Sequence, residues 1–138
     1  KLEARLSCAR LVIGDVADTV PQFLASHGPA PIGAVMFDLD QFTSTSHALR
    51  LFDAEARHFL PRVPCSFDDT NTIEFVGERA AIRAFNDAHD TRKIGKIFAD
   101  RPGWLPGGEK IFEFHDFTHP DYHRPTYQTG DGRMDLTD

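Results

Sequence analysis

The sequence has few of the residues and runs that identify several common classes of protein. Its 138 residues include only two cysteines, which form neither a disulfide framework nor a zinc-binding spacing. No apolar run reaches the 18 residues that a membrane-spanning helix requires. Basic residues number 15 against 21 acidic ones, and the net charge of −6 argues against a nucleic-acid-binding surface. We therefore expect a soluble, cytoplasmic protein with no nucleic-acid or membrane partner.

Glycine-rich nucleotide-binding motifs are also missing. The chain contains neither G-x-G-x-x-G nor a P-loop, and its Pro-Gly-Gly at 106–108 is typical of a hairpin turn. The length and a hydrophobic content of 41% fit one soluble domain with a single core. The chain begins without an initiator methionine, in a charged segment that leads into an apolar run, so we expect it to be part of a longer protein.

Apolar runs alternate with amphipathic segments along the chain. We predict strands over residues 9–14, 33–39, 63–67, 93–99 and 109–117, and helices over residues 18–28, 44–60 and 74–89. This alternation indicates an α/β fold with a mostly parallel sheet. The apolar runs of the predicted strands are mostly continuous, which is typical of strands covered on both faces of a sheet. The last predicted strand, over residues 109–117, instead alternates apolar and polar residues, which indicates an antiparallel edge strand. We predict that residues 1–118 belong to one α/β domain and that residues 119–138 are a polar irregular tail.

Two side-chain placements follow from the helical periodicity. We predict Ser44 or Thr45 as the N-cap of the second helix. In the third helix we place Phe75 and Phe85 on the apolar side and Glu78 on the charged, solvent-facing side. Cys65 is predicted to be a small buried residue, since it lies inside an apolar strand.

Two pairs of carboxylates lie at the ends of predicted strands, and the prediction of a functional site depends mainly on them. Asp38 and Asp40 lie at the end of the second predicted strand, and Asp68 and Asp69 follow the third. Ligands of open α/β sheets bind at the carboxyl ends of strands, so these acids are expected to lie together. Carboxylates held close together repel one another unless a cation or a proton joins them. Their oxygens suit Mg²⁺ or another hard divalent cation.

Other interpretations of the same residues stay open. The acids could be a chance cluster of solvated strand ends. The Asp-x-Asp of Asp38 and Asp40 also fits a Mg²⁺-dependent phosphohydrolase of the haloacid-dehalogenase type, although Phe42 stands where that pattern has Thr or Val.

Three histidines, His115, His119 and His123, are spaced four residues apart, as on one face of a helix. Pro120 lies among them and argues against a helix. We interpret them as ordinary histidines without a metal.

The succession GDVADTVPQFL, GAVMFDLDQFTSTSHALRLF and a strand ending in FDD resembles the second half of a class I S-adenosylmethionine-dependent methyltransferase. More narrowly, it resembles the macrocin-O-methyltransferase group, over about residues 9–90. The resemblance implies a Rossmann-like sheet with an antiparallel last strand and without the first strands of the methyltransferase fold. Such an incomplete sheet predicts self-association or a missing N-terminal segment.

The resemblance also implies a function and a set of site residues. The function is transfer of a methyl group from S-adenosylmethionine to a hydroxyl of a small molecule, assisted by Mg²⁺ or another divalent cation. Asp38, Asp68 and Asp69 match the metal ligands, and Asp38 also lies where a general base takes the proton of the acceptor hydroxyl. Gly14 and Asp15 match the turn beside the adenine. A non-catalytic binding protein of the same fold is the remaining alternative.

Overall fold

The computed structural model describes residues 9–26, 30–70, 74–97 and 110–124. It is a mixed α/β structure, as the sequence predicts. In chain order the elements are helix α1 (Val16–Ser26), strand β1 (Val35–Phe37), helix α2 (Phe42–Leu49), two 3₁₀ helices (Arg50–Asp53 and Ala56–His58), strand β2 (Arg62–Phe67), helix α3 (Gly77–Ala88), strand β3 (Arg92–Lys96) and strand β4 (Ile111–Asp116).

Four strands form one open sheet in the order β1-β2-β4-β3. Strand β1 is parallel to β2, while β4 is antiparallel to both of its neighbours. Three of the described strands therefore share one direction and the last described strand is reversed, which confirms the predicted directions for these four strands. The predicted edge position of β4 is wrong, because β4 lies between β2 and β3. Its alternating pattern indicated one buried face, and it carried no information about neighbouring strands.

One face of the sheet carries the core. In β2, Val63, Cys65 and Phe67 are at most 1% exposed, whereas the intervening residues reach towards solvent. Met36 of β1 is 86% exposed on the opposite face. The prediction of strands covered on both faces is therefore wrong for the described residues. The short apolar runs were compatible with either arrangement.

Stacked phenylalanine rings fill the space between this face and the helices. The rings of Phe52 and Phe114 stack at 4.1 Å between centroids, and those of Phe37 and Phe67 at 4.5 Å. Such pairs add about 0.5–1.5 kcal/mol beyond the area that they bury. Cys65 lies in the same core, which confirms its predicted burial.

Residues 9–14 do not form the predicted strand. Val12 and Ile13 are 44% and 83% exposed, and no described strand pairs with them. An apolar run becomes a strand only where a neighbouring strand satisfies its backbone groups. The sheet that the structure describes ends at β1, so this run has no such neighbour.

The predicted helix over residues 44–60 is interrupted. The α-helical part ends at Leu49 and continues as short 3₁₀ helices. Its N-cap is Gln41, so the prediction of Ser44 or Thr45 is wrong, and Thr45 is instead fully buried within the first turns. Phe75 precedes α3 and is 69% exposed, which corrects its placement on the apolar side.

The first residues of the predicted tail form turns that pack against the sheet. The guanidinium of Arg62 lies 4.8 Å from the ring centroid of Tyr122 and donates a hydrogen bond of 3.1 Å to the Tyr122 carbonyl. Residues 125–138, the predicted turn at 101–108 and the last residues of the predicted strand 93–99 lie outside the described ranges.

Candidate functional site

The two acid pairs lie at one edge of the sheet, as predicted from the strand ends. Phe37 and Phe67, the last residues of β1 and β2, are paired in parallel register. The backbone N–H of Asp68 donates to the Phe37 carbonyl over 3.2 Å, so the two acid-bearing loops leave the sheet side by side. We call Asp38, Asp40, Asp68 and Asp69 the acid cluster.

The carboxyl groups of Asp40 and Asp69 are in direct contact. A hydrogen bond with Asp40 raises the pKa of Asp69 above its usual value. Lost hydration and the negative charges of Asp40 and Asp68 act in the same direction, while the charge of Lys110 opposes them. Two carboxyl groups in contact need a shared proton or a cation between them. The sequence left the role of Asp40 open, and the structure makes it the partner of Asp69.

Lys110 neutralises another acid of the cluster. It directly precedes β4, and its ammonium lies 2.6 Å from Oδ1 of Asp68. This contact raises the pKa of Lys110, so the side chain stays charged. Both side chains retain exposure, 29% for Lys110 and 62% for Asp68, and ion pairs screened by solvent in this way contribute little to stability. A cation that binds Asp68 would therefore compete only with the weak ion pair to Lys110.

The predicted metal ligands are near one another, but their side chains have different partners. Asp69 contacts Asp40, Asp68 contacts Lys110, and Asp38 is exposed. Within the described ranges, no three His, Cys, Asp or Glu side chains are grouped closely enough to hold a metal ion. The assignment of Asp38, Asp68 and Asp69 to a metal remains a prediction.

Glu78 fixes the loops that carry the acid cluster. Its side chain is fully buried and accepts hydrogen bonds from the backbone N–H of Asp69, at 2.8 Å, and of Leu39, at 3.4 Å. Burial raises the pKa of Glu78, and these two hydrogen bonds oppose the rise. One carboxylate thus ties the loop after β1 to the loop after β2.

The predicted solvent exposure of Glu78 is wrong, and its position in the helix explains why. Ala81, Ile82 and Phe85 are buried, and Glu78 precedes them at the spacing that continues their face of α3. The signal was present in the sequence as this i, i+3, i+4, i+7 spacing. The charge of Glu78 favours solvent, whereas its place at the start of the stripe favours burial, and the structure shows burial.

Two small residues bring the helices close to the same loop. Gly77, at φ +57°, begins α3, and a Cβ atom there would lie 2.7 Å from the Asp40 carbonyl oxygen. The buried hydroxyl of Thr45 lies 2.9 Å from the carbonyl oxygens of both Leu39 and Gln41. Both α2 and α3 therefore hold the backbone on either side of Asp40.

Gly14 and Asp15 have a structural role at the start of α1. The Asp15 carboxylate accepts a hydrogen bond of 2.8 Å from the backbone N–H of Ala17, as an N-cap does. A Cβ atom at Gly14 would approach Thr19 to 2.8 Å. Their predicted contact with an adenine remains a prediction.

The three histidines do not converge. His115 lies on β4, where Nε2 is 3.2 Å from Glu113 and Nδ1 is 2.8 Å from the Tyr122 hydroxyl. His119 accepts a hydrogen bond from the backbone N–H two residues later, and His123 is exposed. Each contact is local, and the interpretation of the three as ordinary histidines without a metal remains a prediction.

Comparisons with known protein families, with curated protein sequences and with solved structures give no match to this chain. In the part of the chain that the structure describes, no helix has the length and apolar character needed to cross a membrane. The functional reading therefore depends on the geometry of the acid cluster.

Proposed function

We propose that the acid cluster is the acceptor site of a divalent-metal-assisted O-methyltransferase. The enzyme would use S-adenosylmethionine and methylate a hydroxyl of a small molecule. The observation that carries the proposal is the contact between Asp40 and Asp69, which come from two parallel strands and lie beside Asp68. The reversed last strand supports it further, because the resemblance implies an antiparallel last strand in a Rossmann-like sheet.

Carboxylate oxygens are the donors that a hard divalent cation prefers. Asp38, Asp68 and Asp69 are the ligands that the resemblance implies, and Asp40 lies beside Asp69 as a further oxygen donor. Because no three of the described side chains are grouped closely enough to hold an ion, binding would require these side chains to turn towards it. A bound cation would relieve the repulsion between these carboxylates and would lower the pKa of an acceptor hydroxyl. Asp68 would exchange its contact with Lys110 for the cation.

The remaining chemistry concerns the proton of the acceptor. Asp38 is exposed at the end of β1 and can accept a proton from a hydroxyl placed at the cluster. The hydrogen bond with Asp40 raises the pKa of Asp69, so Asp69 accepts a proton more readily than an isolated aspartate. Glu78 fixes the backbone of both loops, so the acids are oriented before a substrate arrives.

The described residues fit the acceptor side of this reaction better than the cofactor side. Among them, Gly14 and Asp15 are the pair that the resemblance assigns to S-adenosylmethionine, and the Asp15 carboxylate is engaged as a helix cap. The side chains that the structure describes are therefore assigned to binding and orienting the acceptor.

Calorimetric titration with Mg²⁺ and Mn²⁺ tests the proposal. We expect saturable binding that Asp69→Asn weakens at least about tenfold, which corresponds to about 1.4 kcal/mol. Asp90→Asn is the matched control, because Asp90 is an exposed aspartate outside the acid cluster. Equal affinities in the wild type and Asp69→Asn would exclude a metal role for the cluster.

A phosphohydrolase is the second candidate, and Lys110 is the observation that favours it. The sequence pattern of that class requires a distant lysine, and Lys110 reaches the acid cluster through Asp68. In that reading Asp38 is the nucleophile and Asp40 the acid and base. Beryllofluoride would then form an adduct at Asp38, whereas the methyltransferase proposal predicts none.

A further inference from the structure

A second feature, separate from the acid cluster, is a groove between α3 and the C-terminal end of β3. Its volume is about 370 Å³. Arg79, Arg83 and Lys96 line it, together with the apolar side chains of Ile82 and Phe112. Three positively charged side chains therefore line one groove, although the chain as a whole has a net charge of −6.

Two of these cations, Arg83 and Lys96, are held only by exposed contacts in the part of the chain that the structure describes. Lys96 is exposed, and none of the ion pairs or side-chain hydrogen bonds among the described residues involves it. Arg83 lies 3.9 Å from Glu74 and 5.0 Å from the ring centroid of the exposed Phe75, and the side chains of Arg83 and Glu74 are more than half exposed. Ion pairs of this kind contribute little in water, so an incoming anion can replace Glu74.

The groove also offers an ordered apolar wall. Phe112 and Ile82 belong to the hydrophobic core, which fixes their positions. Asn86 lines the groove too, and its amide is bonded to the backbone of Ile94 at 2.9 and 2.7 Å. These contacts hold α3 against β3, so the walls are formed before a ligand binds.

We propose that this groove binds a small molecule that carries an anionic group, a carboxylate or a phosphate monoester, on an aromatic body. Guanidinium groups match the oxygens of such anions with paired hydrogen bonds, and Lys96 adds a third positive charge. The aromatic body would lie against Phe112 and Ile82. Among the lining residues that the structure describes, the two acids Glu74 and Asp87 stand against three cations and leave one net positive charge.

The groove is distinct from the proposed methyl-transfer site. Lys96 is paired with Phe112, and Phe112 is paired with Cys65, so β4 separates the groove from the end of β2. Occupancy of the groove can therefore be measured whether or not the acid cluster binds a cation.

An NMR titration of the full chain with phenyl phosphate, benzoate, inorganic phosphate and phenol tests the proposal. We expect phenyl phosphate or benzoate to shift the amide signals of Arg83, Lys96 and Phe112 with a Kd below about 1 mM, and inorganic phosphate and phenol to bind at least about tenfold more weakly. The stronger of the two aromatic anions identifies the preferred anionic group.

A double variant, Arg83→Gln with Lys96→Gln, should weaken binding of that anion at least about tenfold. Both side chains are exposed, so the variant should fold, and its circular dichroism spectrum checks this. Arg57→Gln is the control, because Arg57 is an exposed arginine in a surface ion pair with Glu55. Unchanged affinity in the double variant, the absence of saturable shifts, or equally tight binding of phenol would overturn the proposal.

Discussion

Replacing Glu78 tests the arrangement on which the acid cluster depends. In Glu78→Ala, the backbone N–H groups of Asp69 and Leu39 lose the carboxylate that accepts their hydrogen bonds. Leaving a buried donor unsatisfied costs about 1–3 kcal/mol. The bond from Asp69, at 2.8 Å, is short and charge-assisted, whereas the bond from Leu39, at 3.4 Å, is long and contributes less.

These contributions predict a loss of about 2–4 kcal/mol in the free energy of unfolding. At roughly 4 °C per kcal/mol for a chain of this size, the melting temperature should fall by about 8–16 °C. Glu78→Gln should lose less stability than Glu78→Ala. Its amide keeps one acceptor oxygen for one N–H donor, although its NH₂ group then faces the second N–H donor. Urea denaturation followed by circular dichroism measures the free energy of unfolding of the wild type, Glu78→Ala and Glu78→Gln.

The matched control is Glu55→Ala. Glu55 forms an ion pair with Arg57 in which both side chains are 72% exposed, so its removal should change stability by less than about 1 kcal/mol. If Glu78→Ala were no more destabilised than Glu55→Ala, Glu78 would not be a buried acceptor and the loops would be held in another way.

Three further predictions follow from single contacts. Lys110→Gln should strengthen Mg²⁺ binding several-fold in calorimetry, because it frees Asp68, and weaker binding would instead assign Lys110 to organising the site. Gly77→Ala should cost about 2–3 kcal/mol in chemical denaturation because of its positive φ and its close carbonyl neighbour, whereas Gly95→Ala, with open space around it, should cost less than about 1 kcal/mol. Burial raises the pKa of Cys65 to about 12, so its thiol should resist alkylation at pH 8 until the protein unfolds. Because that pKa lies above the usual thiol value of 9.0, the free energy of unfolding should fall as the pH rises above about 9. Rapid labelling of Cys65 in the native protein would contradict its burial.

The position of the acid cluster could be predicted because it depends on local signals. Apolar runs ending in Asp38 and Asp68 mark strand ends, and parallel strands bring those ends to one edge. The contact between Asp40 and Asp69 could not be predicted, since it depends on how two loops turn after their strands. That turn is set by the helices that hold the loops.

Glu78 and Gly77 show where reasoning from the sequence was incomplete. The charge of Glu78 suggested solvent, but its place in the apolar stripe of α3 directs it to the loops. Gly77 has no side chain that a sequence pattern could use. Its role is to let the Asp40 carbonyl approach the start of α3, and only the structure shows this contact. The stripe of α3 predicts that Glu78 is buried, but the loops whose backbone groups Glu78 and Gly77 contact leave no pattern in the sequence.

The neighbours of each strand were the other unpredictable feature. The alternation in β4 identifies one buried face, and it is equally compatible with an edge or an interior position. Residues 9–14 have the composition of a strand, yet the described sheet offers them no partner. Strand formation depends on pairing between distant segments, and the local residue pattern of one strand does not reveal its partners.

Broadening of amide NMR signals by Mn²⁺ tests the central claim most directly. Bound at the acid cluster, the ion should broaden the signals of Leu39, Asp40 and Asp69 first, at substoichiometric Mn²⁺. The Asp69→Asn variant should lose this broadening while the rest of its spectrum is preserved. Broadening that begins at other acids, such as Asp53 or Asp121, or that persists unchanged in Asp69→Asn, would contradict a metal-assisted site at the ends of β1 and β2.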